Sequence, residues 1–136
     1  MELATSARMK PAKNIQELVV WQLACRLSEA IDEMVASPAA KRHRTLCNQI
    51  SRSGSSVAAN LAEGFGRFHP SENAGFVRIA KASLTETQNH LLKGNSRGCW
   101  RADDFTKAWR LSCRATKAIV PYLLYLESCK KDPGSN

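Results

Sequence analysis

Four cations near the end of the chain, Lys107, Arg110, Arg114 and Lys117, stand at spacings of three, four and three. On an α-helix such residues share one face. No acidic residue occurs between Asp104 and Glu127 to offset them. An acid-free cationic stripe suits phosphate groups, since each side chain can neutralise one of them, and such binding weakens steeply with salt. The same pattern also fits a solvated basic face with no partner. A second basic group, Lys41-Arg42-His43-Arg44, stands where a helix begins, and Arg67 stands at that helix's end. Cations at a helix N-terminus oppose its dipole, which points to an anionic partner or to a loop at that position. The candidate nucleic-acid contacts are therefore Lys41, Arg42, Arg44, Arg67, Lys107, Arg110, Arg114 and Lys117.

Between the two groups, Gln49, Arg52, Ser53, Ser56, Asn60 and Glu63 recur at spacings of three and four. They form a polar stripe beside an apolar one. Two readings fit: a hydrogen-bonded network that fixes helix register or subunit packing, or a site for a ligand or RNA. Arg52 has Glu63 and Glu86 as possible ion-pair partners, and Asn60 is expected to bond a neighbouring backbone. Gln49, Arg52, Ser56, Asn60, Glu63, Glu86 and Trp21 are the structural or interface candidates. Trp21, Trp100 and Trp109 are expected as core or interface anchors rather than as stacking platforms for bases.

Catalysis finds little support. Glu63 and Glu86 are carboxylates of the kind used in acid–base work, but neither motif supplies a histidine or a nucleophile. No catalytic residue is assigned, and the chain is read as a non-enzyme. Gly64-Phe65-Gly66-Arg67 lacks the preceding strand and the lysine that a phosphate-binding loop needs. His43, His69 and His90 stand alone, and the five cysteines, Cys25, Cys47, Cys99, Cys113 and Cys129, include no C-x-x-C pair. No metal site and no cofactor is expected, and the odd cysteine count fits reduced thiols better than a disulfide framework.

These side chains need helices to position them. Val20, Leu23, Ala24, Leu27, Ala30, Ile31, Met34 and Val35 trace one buried stripe of a first helix, starting near Ile15 or Gln16. Ser37-Pro38 ends it, because the residue before proline avoids the helical region. The second helix is expected from about Lys41 to Ala62 on Leu46, Ile50, Val57 and Leu61. The run Ser51 to Ser56 resembles a linker in composition, yet the stripe keeps phase across it, with Gly54 in the slot between Ile50 and Val57. A small residue there lets another helix approach closely. Gly64-Phe65-Gly66 is expected to close this helix. Ser71 is expected to cap the third, with Glu72 at its positive end. Its stripe is Phe76, Ala80, Ser83, Leu84, Thr87 and Leu91, stopped by Gly94 or Gly98. The fourth begins near Ala102 and carries Phe105, Ala108, Trp109, Ser112, Ala115, Ile119 and Leu123 inward. Pro121 falls inside it and predicts a kink or interruption.

No strand-like alternation is visible, so the fold class is all-α, an antiparallel up-and-down four-helix bundle. The domain plan is a flexible arm over 1–13, the bundle over 14–129 and a loose tail over 130–136. At 136 residues, one domain with a real core is expected. Twenty Lys and Arg against 12 Asp and Glu give a net charge of +8, which attracts polyanions such as nucleic acid. No apolar run approaches the ~20 residues that cross a bilayer, and Met1 to Lys13 lack an apolar secretory core. A cytoplasmic protein with no membrane partner is the expectation.

The stretch Gln49 to Arg67, above all Asn60-Leu61-Ala62-Glu63-Gly64-Phe65-Gly66-Arg67, resembles the central motif of the helical proteins encoded in intervening sequences of bacterial 23S rRNA genes. Phe76 to Glu86 is similar to that family's third helix and Leu18-Val19-Val20-Trp21-Gln22 to the start of its first. The likeness runs from about Ile15 to Leu126. This chain departs at Ser51, where a basic residue is common, at Ala58 for proline, at Ala82 for glycine, and at Thr87-Gln88-Asn89 for Leu-Glu-Thr. The resemblance implies an up-and-down bundle, a ring-like homopentamer and no enzymatic activity. It also implies a distant kinship with the accessory protein of diversity-generating retroelements, which binds nucleic acid and a reverse transcriptase. Together with the charge, it gives the functional expectation of a homo-oligomer that engages RNA, DNA or a nucleic-acid-associated protein through basic helix faces. The alternative is a structural protein–protein scaffold that binds no nucleic acid.

Overall fold

The computed structural model describes residues 12–129. Most of the expected arm and all of the expected tail lie outside them. Four long helices account for most of the described residues: α1 (Val19–Val35), α2 (Arg44–Phe65), α3 (Pro70–Ser96) and α4 (Ala102–Ser128). A short 3-10 turn, Ile15–Glu17, precedes α1, and a single helical turn, Pro38–Lys41, links α1 to α2. There is no strand among the described residues, and no helix is long and apolar enough to cross a membrane.

The core is the set of apolar positions spaced at one helical turn. Leu27, Ile31 and Met34 of α1, Ile50, Val57 and Leu61 of α2, Leu84 and Leu91 of α3, and Ile119 of α4 are all fully buried. Burying one such side chain contributes about 1.5–3 kcal/mol, so these rows carry most of the folding free energy. α1 packs against α2 and α4, and α3 packs against the same two. Along α2 and α3 the contacts run in descending register. Ser53 meets Thr87, Ser56 meets Ser83, and Gly64 lies against Phe76. Gln88 meets Ser112 and Arg78 meets Glu127 across α3 and α4 in the same manner.

Glycines govern how closely these helices approach. A Cβ on Gly54 would lie 2.7 Å from Ile31 Cδ1, so α1 sits directly on the Ser-rich run, and α2 is continuous through it as the stripe predicts. Gly94 is buried and receives the Trp100 ring, whose indole N–H donates to the Leu91 carbonyl at 3.1 Å. Gly98, at φ +71°, is the chain's stop signal for α3. The Cys99 N–H reaches back to the Gly94 carbonyl at 2.8 Å and the Gly98 N–H to Asn95 at 3.1 Å, the paired bonds of a left-handed glycine cap.

Several local expectations are corrected. α1 begins at Val19, after the 3-10 turn, and not at Ile15. α2 begins at Arg44 because Ser37 caps a separate turn, its hydroxyl accepting from the Ala40 N–H at 3.3 Å. Gly66 follows α2 at φ −75°, an ordinary helical value. Gly64 is instead a contact residue, since a Cβ there would lie 2.8 Å from the Phe76 Cβ. Ser71 caps nothing: His69 is the capping residue of α3, Pro70 fills the first position where no N–H is needed, and Ser71 already lies inside the helix. α4 runs through Pro121 without interruption. The proline is exposed, and its cost is one missing backbone bond to the Lys117 carbonyl.

Candidate nucleic-acid interface

α4 buries Ala108, Ser112, Ala115 and Ile119 and so turns Lys107, Arg110, Arg114 and Lys117 outward, all four exposed. The strip therefore exists as one face. It is not free of acid, however, because α1 supplies what α4 lacks. Lys107 Nζ donates to Glu33 Oε2 at 3.1 Å. Arg110 and Arg114 edge a groove of about 540 Å³ between α1 and α4, shared with Arg26, Glu29, Glu33 and Asp103. Among the described residues, Arg110, Arg114 and Lys117 form no ion pair. Three of the strip's four cations are thus outside any ion pair among the described residues. Glu33 was invisible to sequence reasoning because its partner lies on another helix.

At one end of the molecule, Lys41, Arg42, His43 and Arg44 are all exposed, and Lys41 and Arg44 line a depression of about 350 Å³ with no acidic wall. The cations here do oppose a helix dipole: α2 has no acidic residue in its first turn and no side-chain cap. Arg67 behaves differently. Its guanidinium is 2.8 Å from Glu63 and 4.8 Å above the Phe76 ring, so both its charge and its plane are engaged within the chain.

The polar stripe of α2 divides in two. Ser53 and Ser56 point into the seam with α3. The fully buried Thr87 hydroxyl lies 2.9 Å from Ser53 Oγ and 2.8 Å from the Ser83 carbonyl, which share its one hydrogen, and the Ser56 and Ser83 hydroxyls are 2.9 Å apart. Asn60 donates to the Ser56 carbonyl and hydroxyl of its own helix, both at 2.9 Å, rather than to a neighbour. Gln49, Arg52 and Glu63 remain exposed. Arg52 takes neither expected partner: Glu63 pairs with Arg67, and Glu86 lies 3.3 Å from His90 Nε2. Trp21 is half-buried against the core.

The Glu86–His90 pair is the nearest approach to an acid–base dyad. His90 Nδ1 is buried with no partner among the described residues, so no hydroxyl or thiol is held against it for activation. Burial pushes the Cys25 and Cys47 thiols up, helped by Glu29 at Cys25 and by the neighbouring Cys99 at Cys47, which disfavours the thiolate needed of a nucleophile. The five cysteines are unpaired. Among the described residues, no three His, Cys, Asp or Glu side chains come together as metal ligands.

Fold and surface together define a class: a small basic helical bundle with a hydroxyl-rich seam inside and cationic helix faces outside. The family model described as 23S rRNA-intervening sequence protein matches residues 16–121, and the chain belongs to that family. No curated protein matches it significantly.

Proposed function

We propose that this chain is a non-enzymatic, antiparallel up-and-down bundle that assembles as a homo-oligomer, a pentamer by family resemblance, and binds the backbone of RNA or DNA. The observation that carries this reading is the outer strip of α4, where Arg110, Arg114 and Lys117 share one exposed face with no ion pair among the described residues. The strip belongs to no recognised base-reading motif and would hold phosphates in a largely sequence-independent way. Repetition of the strip in an oligomer would raise avidity without any new contact. A scaffold that binds only protein is the second reading, favoured by the exposed polar edge Gln49, Arg52, Glu63 and Glu86 beside the α2–α3 seam.

Reversing Arg110, Arg114 and Lys117 to Glu separates the two. We predict that the variant retains a labelled RNA oligomer less well at low salt while its elution volume and helical signal stay unchanged. Retention equal to that of the wild type would refute the role of α4, and a wild type that retains neither RNA nor DNA would favour the scaffold.

A further inference from the structure

Two of the long segments of this chain that contain no acidic residue, 34–62 and 87–102, reach the same end of the molecule. The first holds Lys41, Arg42 and Arg44; the second holds Lys93, Arg97 and Arg101. All six side chains are exposed, and none forms an ion pair among the described residues. The fold brings the segments together. Ser53 opposite Thr87 and Ser56 opposite Ser83 set a descending register that places Arg44, at the start of α2, level with Ser96, at the end of α3. The nearness of Cys99 to Cys47 agrees with that placement. The nearest acids on the α4 side, Asp103 and Asp104, occupy that helix's first turn, where they answer its own positive end. On the α1 side, Glu33 is held by Lys107, and Asp32, exposed in the last turn of α1, is an acid with no ion pair among the described residues.

We propose that this end of the molecule is the principal landing surface for a nucleic-acid backbone, with Lys93, Arg97 and Arg101 acting as phosphate contacts alongside Lys41, Arg42 and Arg44. The proposal rests on the nucleic-acid reading above and moves its centre from the α4 strip, where one cation in four is already neutralised, to a surface where none is. The surface suits nucleic acid better than protein. A protein interface is anchored by clustered apolar or aromatic side chains, and Leu92 is the one large apolar side chain exposed in the two segments that form this end. Exposed cations that form no ion pair among the described residues can each neutralise a phosphate and release its counterions.

The test compares two triple variants of the full chain, K93Q/R97Q/R101Q and R110Q/R114Q/K117Q, binding a labelled single-stranded RNA oligomer over a range of salt concentrations. Three lost phosphate contacts lower the slope of log affinity against log salt by about 2, at roughly 0.7 per contact on a single strand. We expect that fall, and at least about a tenfold weakening at low salt, in the first variant, with a smaller change in the second. Unchanged thermal unfolding and elution volume show that the first variant is folded; should it fail that check, the single variants R97Q and R101Q are read instead, each expected to lower the slope by about 0.7. A wild type that binds and a folded first variant with an unaltered slope would overturn this proposal while leaving nucleic-acid binding intact. A wild type that does not bind at all would overturn both.

Discussion

Gly75 and Gly94 both lie inside α3, yet one added methyl group has opposite consequences at the two sites. A Cβ on Gly75 meets nothing within 4 Å, whereas a Cβ on Gly94 falls within the Trp100 ring. Alanine is favoured over glycine in a helix by about 1 kcal/mol, partly through the unfolded chain. We therefore predict that Gly75→Ala raises stability by about 0.5–1 kcal/mol. Gly94→Ala should lower it by about 2–3 kcal/mol, because Trp100 must leave a site where its N–H is also bonded. Urea midpoints measure both; equal shifts of the same sign would show that Trp100 does not press on α3. The sequence supplied both glycines but not their difference, since Trp100 folds back from beyond the stop at Gly98. The same limit applies to Glu33, whose link to Lys107 joins residues far apart in the chain.

At the level of the helices, the sequence was most legible where apolar spacing ran unbroken. Every stripe position from Val20 to Met34 is buried, and Ile50, Gly54 and Val57 carry α2 through a run whose composition suggests a linker. Ends were read less well, because a cap depends on one backbone angle: Ser71 offers the right side chain two residues too late, and Gly66 keeps a helical φ. The α3–α4 joint makes a further prediction. Tyr122 receives a hydrogen bond from Asn73 Nδ2 at 3.0 Å. Burial raises its pKa above the ordinary value, the Asn73 bond partly opposes that shift, and Tyr125 adds to it. A raised folded value means that the neutral phenol's contribution to stability is complete below the unfolded value of about 10 and is lost as pH climbs from there. Tyr122→Phe removes this loss. We predict that the wild type's advantage over the variant, followed by urea midpoint, shrinks above pH ~10. A gap independent of pH would show that Tyr122 does not titrate with unfolding.

For the whole molecule, the decisive feature is where charge of each sign collects. α1 sets Glu29 and Glu33 beside the α4 strip, so an acid of the chain itself competes with any phosphate for Lys107. Both partners are more than half exposed, so the pair contributes at most about 1 kcal/mol to stability. Glu33→Gln should therefore leave folding within about 0.5 kcal/mol of the wild type. If the α4 strip touches nucleic acid, the same change should tighten RNA binding at low salt and steepen its salt dependence by about 0.7, one added contact. Unchanged affinity and slope would place Lys107 outside the contact surface. The joint between α2 and α3 bears on how any such measurement is interpreted. Its polar contacts are hydroxyl pairs, Ser53 with Thr87 and Ser56 with Ser83. None of these groups ionises near neutrality, and a hydrogen bond between neutral hydroxyls responds little to dissolved ions. The alignment of the two central rods should thus hold from dilute buffer to brine, leaving ionic strength free to act as a selective probe of the outer charges.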